Sequence, residues 1–383
     1  MHTRPVVIVG GGLAAYTVAR ELRKLDPVRP VTLVSADSGD YYSKPMLSNA
    51  LDQRITPEAL VRNTAQEQAK ALNIRVLSHC QVIAIDRGAK RLLTSAGALD
   101  YGALVLAVGA EAGGADQAAA AGSSGFAINH LDDYRRFRGA LSPGKRVLII
   151  GAGLVGCEFA NDLAATGHAV TLLESGEHIL GRLIPTPLAE HLQKALQGVG
   201  VRMHCRTKVQ SINQVATGIE VALGSGERIE ADLLLWATGL RPRLELARDC
   251  GLETGKGIRV NRFLATEDPQ IFALGDCAEV DGQVLPFVLP LMHQARALAA
   301  TLSGTPRALS LPALPIILKT PACPIVVVPP LTGQNGTWRA IETNPDGMRF
   351  DFVDAQGQLV GFALSGRACE AKRQLAARIP AWM

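Results

Sequence analysis

The sequence predicts an α/β protein: two Rossmann-like, doubly wound three-layer nucleotide-binding domains followed by a C-terminal α+β domain. Three observations predict it. The apolar runs Val6–Val9 and Arg146–Ile150 each read as a buried strand leading into a glycine turn and a helical stretch. Each of these units is followed by a second apolar strand, Val31–Val34 in the first and His168–Leu173 in the second. From about Leu311 the character changes: Pro312, Pro315, Pro321, Pro324, Pro329 and Pro330 break the chain into short pieces. With 383 residues the chain is long enough for two or three domains.

The second glycine unit carries the fuller signal. Gly151, Gly153 and Gly156 have G-x-G-x-x-G spacing between a strand and a helix, read as Cys157–Thr166. Gly151 makes the tight turn, Gly153 lets a pyrophosphate approach the backbone, and Gly156 lets the helix pack on its strand. Leu154 opens the segment whose N–H groups face the phosphates. Glu174 ends the next strand, about 20 residues on, where a carboxylate accepts from both ribose hydroxyls. Glu177 close by would repel a 2′-phosphate, so NADH is expected over NADPH.

In the first unit Gly10-Gly11-Gly12-Leu13-Ala14-Ala15 has alanine in place of the third glycine, which still permits close helix packing. A helix is expected over Leu13–Leu25. The strand Val31–Val34 ends in Ser35-Ala36-Asp37 rather than in a glutamate, so the ribose contact falls to Ser35, Asp37 or backbone. Two fingerprints in one chain imply two nucleotides and electron transfer between them. The natural pairing is a tightly held flavin, FAD, in the first site and dissociable NADH in the second.

Between the fingerprints lie the polar segment Tyr41–Ser48, which reads as a loop, the strand beginning at Val82, and a strand Leu104–Ala107 closing on Val108-Gly109. The Gly/Ala/Ser-rich stretch Ala112–Gly125 reads as a flexible crossover. Leu233–Ala237 closes on Thr238-Gly239-Leu240-Arg241-Pro242, repeating the Ala107-Val108-Gly109 pattern and marking the exit from the second domain. Ile271–Leu274 is a strand ending at Gly275-Asp276, where an aspartate can bind the hydroxyls of a ribityl chain. Phe287–Leu302 is helix-like. Trp338–Ile341, Arg349–Val353 and Leu359–Leu364 alternate as antiparallel strands, with a helix expected over Ala368–Arg378.

Composition narrows the function classes. Hydrophobic residues make up 48% and charged residues 19%, against disorder, and a net charge of +4 gives no case for nucleic acid. No run of about 18 apolar residues is present; Pro312–Leu331 is interrupted by Lys319 and prolines. No secretory h-region precedes the first strand, so a cytoplasmic protein is expected. Seven cysteines and eight histidines lack the spacings of a zinc site or a redox dithiol; no metal is expected. The adjacent pairs His79-Cys80 and His204-Cys205 are expected on strands, pointing to opposite faces.

The two fingerprints, the Leu-Ala-Val-Gly and Ala-Thr-Gly-Leu-Arg-Pro junctions, FALGDCAE and LKTPACP together resemble the pyridine-nucleotide disulfide oxidoreductase superfamily over nearly the whole chain. Within it, YSKPMLS, GDCAEVDGQVLPF and KTPACP look most like the bacterial rubredoxin and flavorubredoxin reductases. That resemblance implies an FAD domain at 1–111 and 242–310, an inserted NADH domain at 112–241 and a C-terminal α+β domain at 311–383. It also implies residue roles. Lys44 and Pro45 would lie against the isoalloxazine, and Val82 would hold the adenine through its backbone. Glu158 would meet Lys44 over the flavin face and order the nicotinamide. Asp276 would bind the ribityl chain, Val288 would donate its N–H to the pyrimidine edge, and Lys319 would approach from the C-terminal domain.

Other members of that superfamily keep redox cysteines beside the flavin; here the corresponding segment, Ser43–Ser48, has none. The resemblance therefore implies that electrons pass from the flavin directly to an iron protein, one at a time. The expected activity is NADH:rubredoxin reduction, feeding alkane hydroxylation or detoxification of oxygen or nitric oxide. A [2Fe–2S] ferredoxin, or oxygen, as acceptor is the alternative, and a flavin redox-sensing protein is a third. Rubredoxins are small and acidic, so a modest basic patch near the flavin edge would favour fast, transient docking.

Overall fold

The computed structural model describes residues 5–181, 183–216, 218–331 and 333–382. Two five-stranded parallel sheets carry the two glycine loops. The first has the order Ile271–Ala273, Ala103–Leu106, Val6–Val9, Val31–Val34, Arg75–Leu77. Val6–Val9 is buried at every position, as a central parallel strand covered on both faces must be. The helix Leu13–Leu25 packs against Val288–Leu302, so residues far apart in the chain close one face of this sheet.

The second sheet runs Gly125–Phe126, Leu233–Trp236, Arg146–Ile150, Ala169–Leu173, Arg202–His204. A short antiparallel pair, Ala110–Ala112 with Leu240–Pro242, lies where the chain passes from the first sheet to the second and back. The third sheet is antiparallel: Ile316–Leu318, Ile325–Val328, Leu359–Gly366, Gly347–Val353, Thr337–Asn344. One apolar core joins residues of all three regions, among them Leu47, Phe159, Ile325 and Phe350. The C-terminal sheet is therefore seated on the nucleotide-binding body.

Several local expectations need correction. Ala112–Gly125 is not a featureless crossover: it holds the helix Ala115–Ala119 and a 3₁₀ turn Gly122–Ser124. Its glycines serve packing, since a Cβ on Gly125 would lie 1.8 Å from the Ala118 carbonyl oxygen and one on Gly114 would lie 1.9 Å from the Trp236 ring nitrogen. The segment after Ser43 is a 3₁₀ helix, Lys44–Asn49, started by Pro45, which tolerates a first-turn position because its missing N–H would be unpaired there anyway. The Ala368–Arg378 helix is shorter: a 3₁₀ segment Arg367–Ala371 leads into Lys372–Ala376. His79 and Cys80 lie beyond the strand Arg75–Leu77, His79 with φ +50°, and Cys205 lies just past Arg202–His204.

Candidate active site

Each glycine loop sits at the carboxyl ends of its parallel strands, where open α/β sheets bind ligands. Gly10 has φ +127°, and a Cβ there would lie 2.2 Å from the Ala107 carbonyl oxygen; Gly151 has φ +103° and would meet the Ala237 oxygen at 2.6 Å. These two turns accept only glycine. The junctions expected to repeat each other therefore do the same job, Ala107-Val108-Gly109 and Ala237-Thr238-Gly239 each abutting a glycine turn.

The helices that follow are unfinished at their N-termini. Gly12 caps Leu13–Leu25 and Gly153 caps Leu154–Ala165, neither helix has a side-chain cap, and neither has an acidic residue in its first turn. Cβ atoms added at Gly12 or Gly153 would meet no atom of the chain within 4 Å. Unpaired N–H groups with open space in front of them fit a pyrophosphate. Gly156 is different: its Cβ would lie 1.9 Å from the Gly151 oxygen, so it secures the helix to its own loop.

At the first loop, a Cβ on Gly11 would strike Ser35 Oγ at 2.2 Å, so Ser35 and Asp37 stand directly beside the turn. The Ser35 hydroxyl donates to Asp37 at 2.5 Å and Gly39 N–H donates to it at 2.9 Å; Ala36 is the exposed link between them. Burial pushes the Asp37 carboxyl upward, but these hydrogen bonds, with the charge of Lys44, outweigh it and leave it below its ordinary value. The chain passing through His79 and Cys80 hydrogen-bonds to Asp37 and Ser35 carbonyls, which brings Val82 to the same side.

Around Lys44 lies a group of charges. Burial pushes the Lys44 ammonium down, Arg243 adds to that, and Asp276, Asp37 and Asp133 oppose it. Asp276 is pushed up by its own burial, with Lys44 the opposing influence. Lys44 is nevertheless only half-buried as a residue. Gly275 N–H donates to buried Gln294 at 2.7 Å, and a Cβ on Gly275 would lie 3.2 Å from that of Ala14, so the Gly275-Asp276 turn rests on the first helix. Val288 is the first residue of its helix, where a backbone N–H has no intrahelical acceptor.

Sequence reasoning missed His130 and Arg243 here. His130 Nε2 is 3.1 Å from Arg243 Nη2, and Nδ1 is 3.9 Å from Asp37. Burial, with Lys44 and Arg243, lowers the His130 pKa to about 4, so the ring is neutral and its Nε2 accepts from Arg243. Nothing in the local sequence marks this pair, because it forms between positions 113 residues apart.

Glu158 does not pair with Lys44. Its buried carboxylate accepts from the Ser48 hydroxyl, from Lys319 N–H at 2.9 Å and from Lys319 Nζ at 2.7 Å. Lys319 Nζ also donates to the Pro45 carbonyl oxygen at 2.5 Å and to Asn49 Oδ1 at 2.6 Å. Glu158 is the fifth residue of its helix, beyond the reach of first-turn dipole effects. Three parts of the chain thus converge: the Lys44–Asn49 segment, the helix after the second glycine loop, and the C-terminal segment at Lys319. In the second site Glu174 accepts from Ala152 N–H at 2.9 Å and Gly176 N–H at 2.7 Å, pinned beside its loop. Glu177 forms an ion pair with Arg206. Thr238 donates to the Gly113 oxygen at 3.2 Å.

The residues present fit two dinucleotides. Their loops are open, their helix N-termini are uncapped, and acidic groups are placed beside each turn. The thiols near the loops are no relay: Cys157 and Cys277 are fully buried, and burial pushes both above the ordinary thiol range, Cys277 to about 11. Fold and site define a two-nucleotide oxidoreductase without a reactive dithiol.

Residues 4–299 match the model of the pyridine nucleotide-disulphide oxidoreductases, and residues 308–379 match that of a rubredoxin binding C-terminal domain. The chain belongs to the pyridine nucleotide-disulphide oxidoreductase family. It is 41% identical to a rubredoxin-NAD(+) reductase of Alcanivorax borkumensis, covering all of both chains. It is 39% identical to a nitric oxide reductase FlRd-NAD(+) reductase of Aeromonas hydrophila, over 99% of this chain and 97% of that one. Among solved structures, the covalent putidaredoxin reductase–putidaredoxin complex matches with a TM-score of 0.89 and 28% identity, over 99% of this chain and 94% of that one. No helix among the described residues is long and apolar enough to cross a membrane.

Proposed function

We propose that this protein is an FAD-dependent NADH:rubredoxin reductase. The observation that carries the reading is the convergence at Glu158, where the nucleotide helix, the cysteine-free segment Lys44–Asn49 and the segment at Lys319 share one hydrogen-bonded cluster. The match of residues 308–379 to a rubredoxin binding domain favours rubredoxin over a [2Fe–2S] carrier, and the flavorubredoxin-reductase relatives fit a nitric oxide detoxifying chain. Bound FAD supplies the conversion of a two-electron donor to one-electron delivery.

The chain's own residues bind and orient. Gly10, Gly11, Gly12, Leu13 and Ala14 receive the FAD pyrophosphate, Ser35 and Asp37 the adenosine ribose, and Val82 the adenine. Ala107, Val108 and Gly109 back this loop. Lys44 and Pro45 line the isoalloxazine, Gly275 and Asp276 take the ribityl chain, and Val288 N–H meets the pyrimidine edge. Gly151, Gly153, Leu154 and Gly156 receive the NADH pyrophosphate, Glu174 its ribose, and Thr238 and Gly239 back the loop. Glu158, held by Lys319, orders the nicotinamide. The open space at Gly12 and Gly153, the uncapped helix starts and the charges of Asp37, Lys44 and Asp276 support these roles. Domains at 1–111 with 242–310, 112–241 and 311–383 are the corresponding division. A cytoplasmic location fits the NADH donor and seven free thiols.

The test is the purified protein in carrier assays. It is expected to be yellow, to bleach with NADH and to reduce rubredoxin faster than a [2Fe–2S] ferredoxin. A colourless protein, or one that reduces both carriers equally slowly, contradicts the reading.

A further inference from the structure

The helix Leu154–Ala165 is apolar on nearly every face, yet it carries Glu158, Asn161 and Asp162 at i, i+3 and i+4, all on one side and all buried at 5%, 4% and 2% exposure. Buried polar groups need partners, and each of these finds a backbone N–H outside the helix. Glu158 accepts from Lys319 N–H at 2.9 Å, Asn161 Oδ1 from Ala322 N–H at 3.1 Å, and Asp162 from Leu51 N–H at 3.1 Å and Asp52 N–H at 2.9 Å. The first two tie the helix to the C-terminal segment. The last ties it to the turn that ends the Lys44–Asn49 3₁₀ helix.

We propose that Asp162 is a positioning residue for the hydride step, locking the helix that carries Glu158 onto the flavin-side segment Lys44–Asp52. This rests on the reading that Glu158 orders the nicotinamide. Asp162 spends both carboxylate oxygens on backbone donors, one each, and forms no ion pair among the described residues. The charged and titratable groups facing it are Asp52 on the turn and Arg138 and Tyr134 of the helix Leu131–Ala140. The Arg138 guanidinium donates to Tyr134 Oη at 2.8 Å and to the Ile55 oxygen at 3.4 Å instead. Two acceptors facing two N–H groups explain aspartate rather than asparagine, whose amide nitrogen would set a donor against a donor.

Burial raises the Asp162 carboxyl to about 6, with the two N–H donors and Arg138 opposing and Asp52 adding to it. Below that value the group gains a proton and loses one acceptor, so the lock loosens as pH falls through about 6. Above it, both acceptors are in place.

The test uses the Asp162→Asn holoenzyme beside the wild type, with the two half-reactions measured separately and anaerobically. Asp162→Asn is expected to slow flavin reduction by NADH about tenfold at neutral pH, as a mis-set positioning contact does, and to leave flavin bound. Rubredoxin reduction by photochemically reduced enzyme should be unchanged. The wild-type NADH half-reaction should fall as pH drops through about 6, and the variant should lack that step. An unchanged NADH half-reaction overturns the proposal, as does an equal loss in both half-reactions accompanied by flavin release. Should Asp162→Asn fail to fold, the wild-type profile decides: a rate flat between about pH 7 and 5 with flavin bound overturns it. If NADH does not reduce the wild-type flavin at all, the functional reading fails and the proposal falls with it.

Discussion

Two glycines of the second loop, three positions apart, should fail in opposite ways when changed to alanine. Gly153 has φ −75° and ψ −171°, an extended backbone open to any residue, and its added methyl would meet nothing in the chain within 4 Å. Gly153→Ala should therefore leave stability within about 0.5 kcal/mol, as for a surface change that breaks no contact. The methyl occupies the space in front of the helix N-terminus, where the proposed reading seats the NADH pyrophosphate. Forcing a methyl into a filled site costs about 1–3 kcal/mol, which is a loss of roughly 5- to 150-fold in NADH affinity.

Gly156→Ala behaves otherwise. Its Cβ would lie 1.9 Å from the Gly151 oxygen, far inside the 3.0 Å that real Cβ atoms respect, so helix and loop must separate by about 1 Å. That strain exists without ligand and should lower the melting temperature as well as NADH affinity. The assays are thermal unfolding and stopped-flow NADH titration of the flavin-loaded protein. An unchanged NADH affinity in Gly153→Ala would refute the placement of the pyrophosphate, and an unchanged melting temperature in Gly156→Ala would refute the packing role.

Lys319→Met strips the ammonium from a buried Glu158 while Ser48 and the Lys319 backbone stay in place. Because the Lys319 side chain is 32% exposed, the loss of stability should be about 1–3 kcal/mol in urea unfolding, short of the ~3–5 kcal/mol of a wholly buried pair, and NADH-driven flavin reduction should slow. Changing Glu174→Ser together with Glu177→Arg should raise NADPH use in steady-state assays, since the second change also frees Arg206 to meet a 2′-phosphate. His130 is held below its unfolded value, so its contribution to stability is complete above about 6.5 and is lost as pH falls toward about 4. His130→Gln should flatten thermal stability across that window. Rubredoxin reduction should slow with rising ionic strength, and a rate indifferent to salt would remove electrostatic steering.

The first glycine unit was legible to the residue: Val6–Val9, Leu13–Leu25 and Val31–Val34 have the bounds that apolar runs and punctuation imply. Those signals are local. Ala112–Gly125 misled because small residues read as flexibility, whereas Gly114 and Gly125 are there to let Trp236 and Ala118 approach. Pairings across long sequence separations left no local signal: the resemblance implied Lys44 as the partner of Glu158, and Lys319, 161 residues away, takes that place. One signal was present and unused. Asn161 and Asp162 interrupt an otherwise apolar helix at helical spacing from Glu158, a pattern with no reason to exist unless that face meets backbone donors.

The central claim is tested most directly by mixing the flavin-loaded protein anaerobically with limiting NADH and excess oxidised rubredoxin. Each NADH carries two electrons and each rubredoxin accepts one, so two rubredoxins should be reduced per NADH consumed. NADH consumption without rubredoxin reduction, or rubredoxin reduction that persists in protein stripped of flavin, would contradict the account.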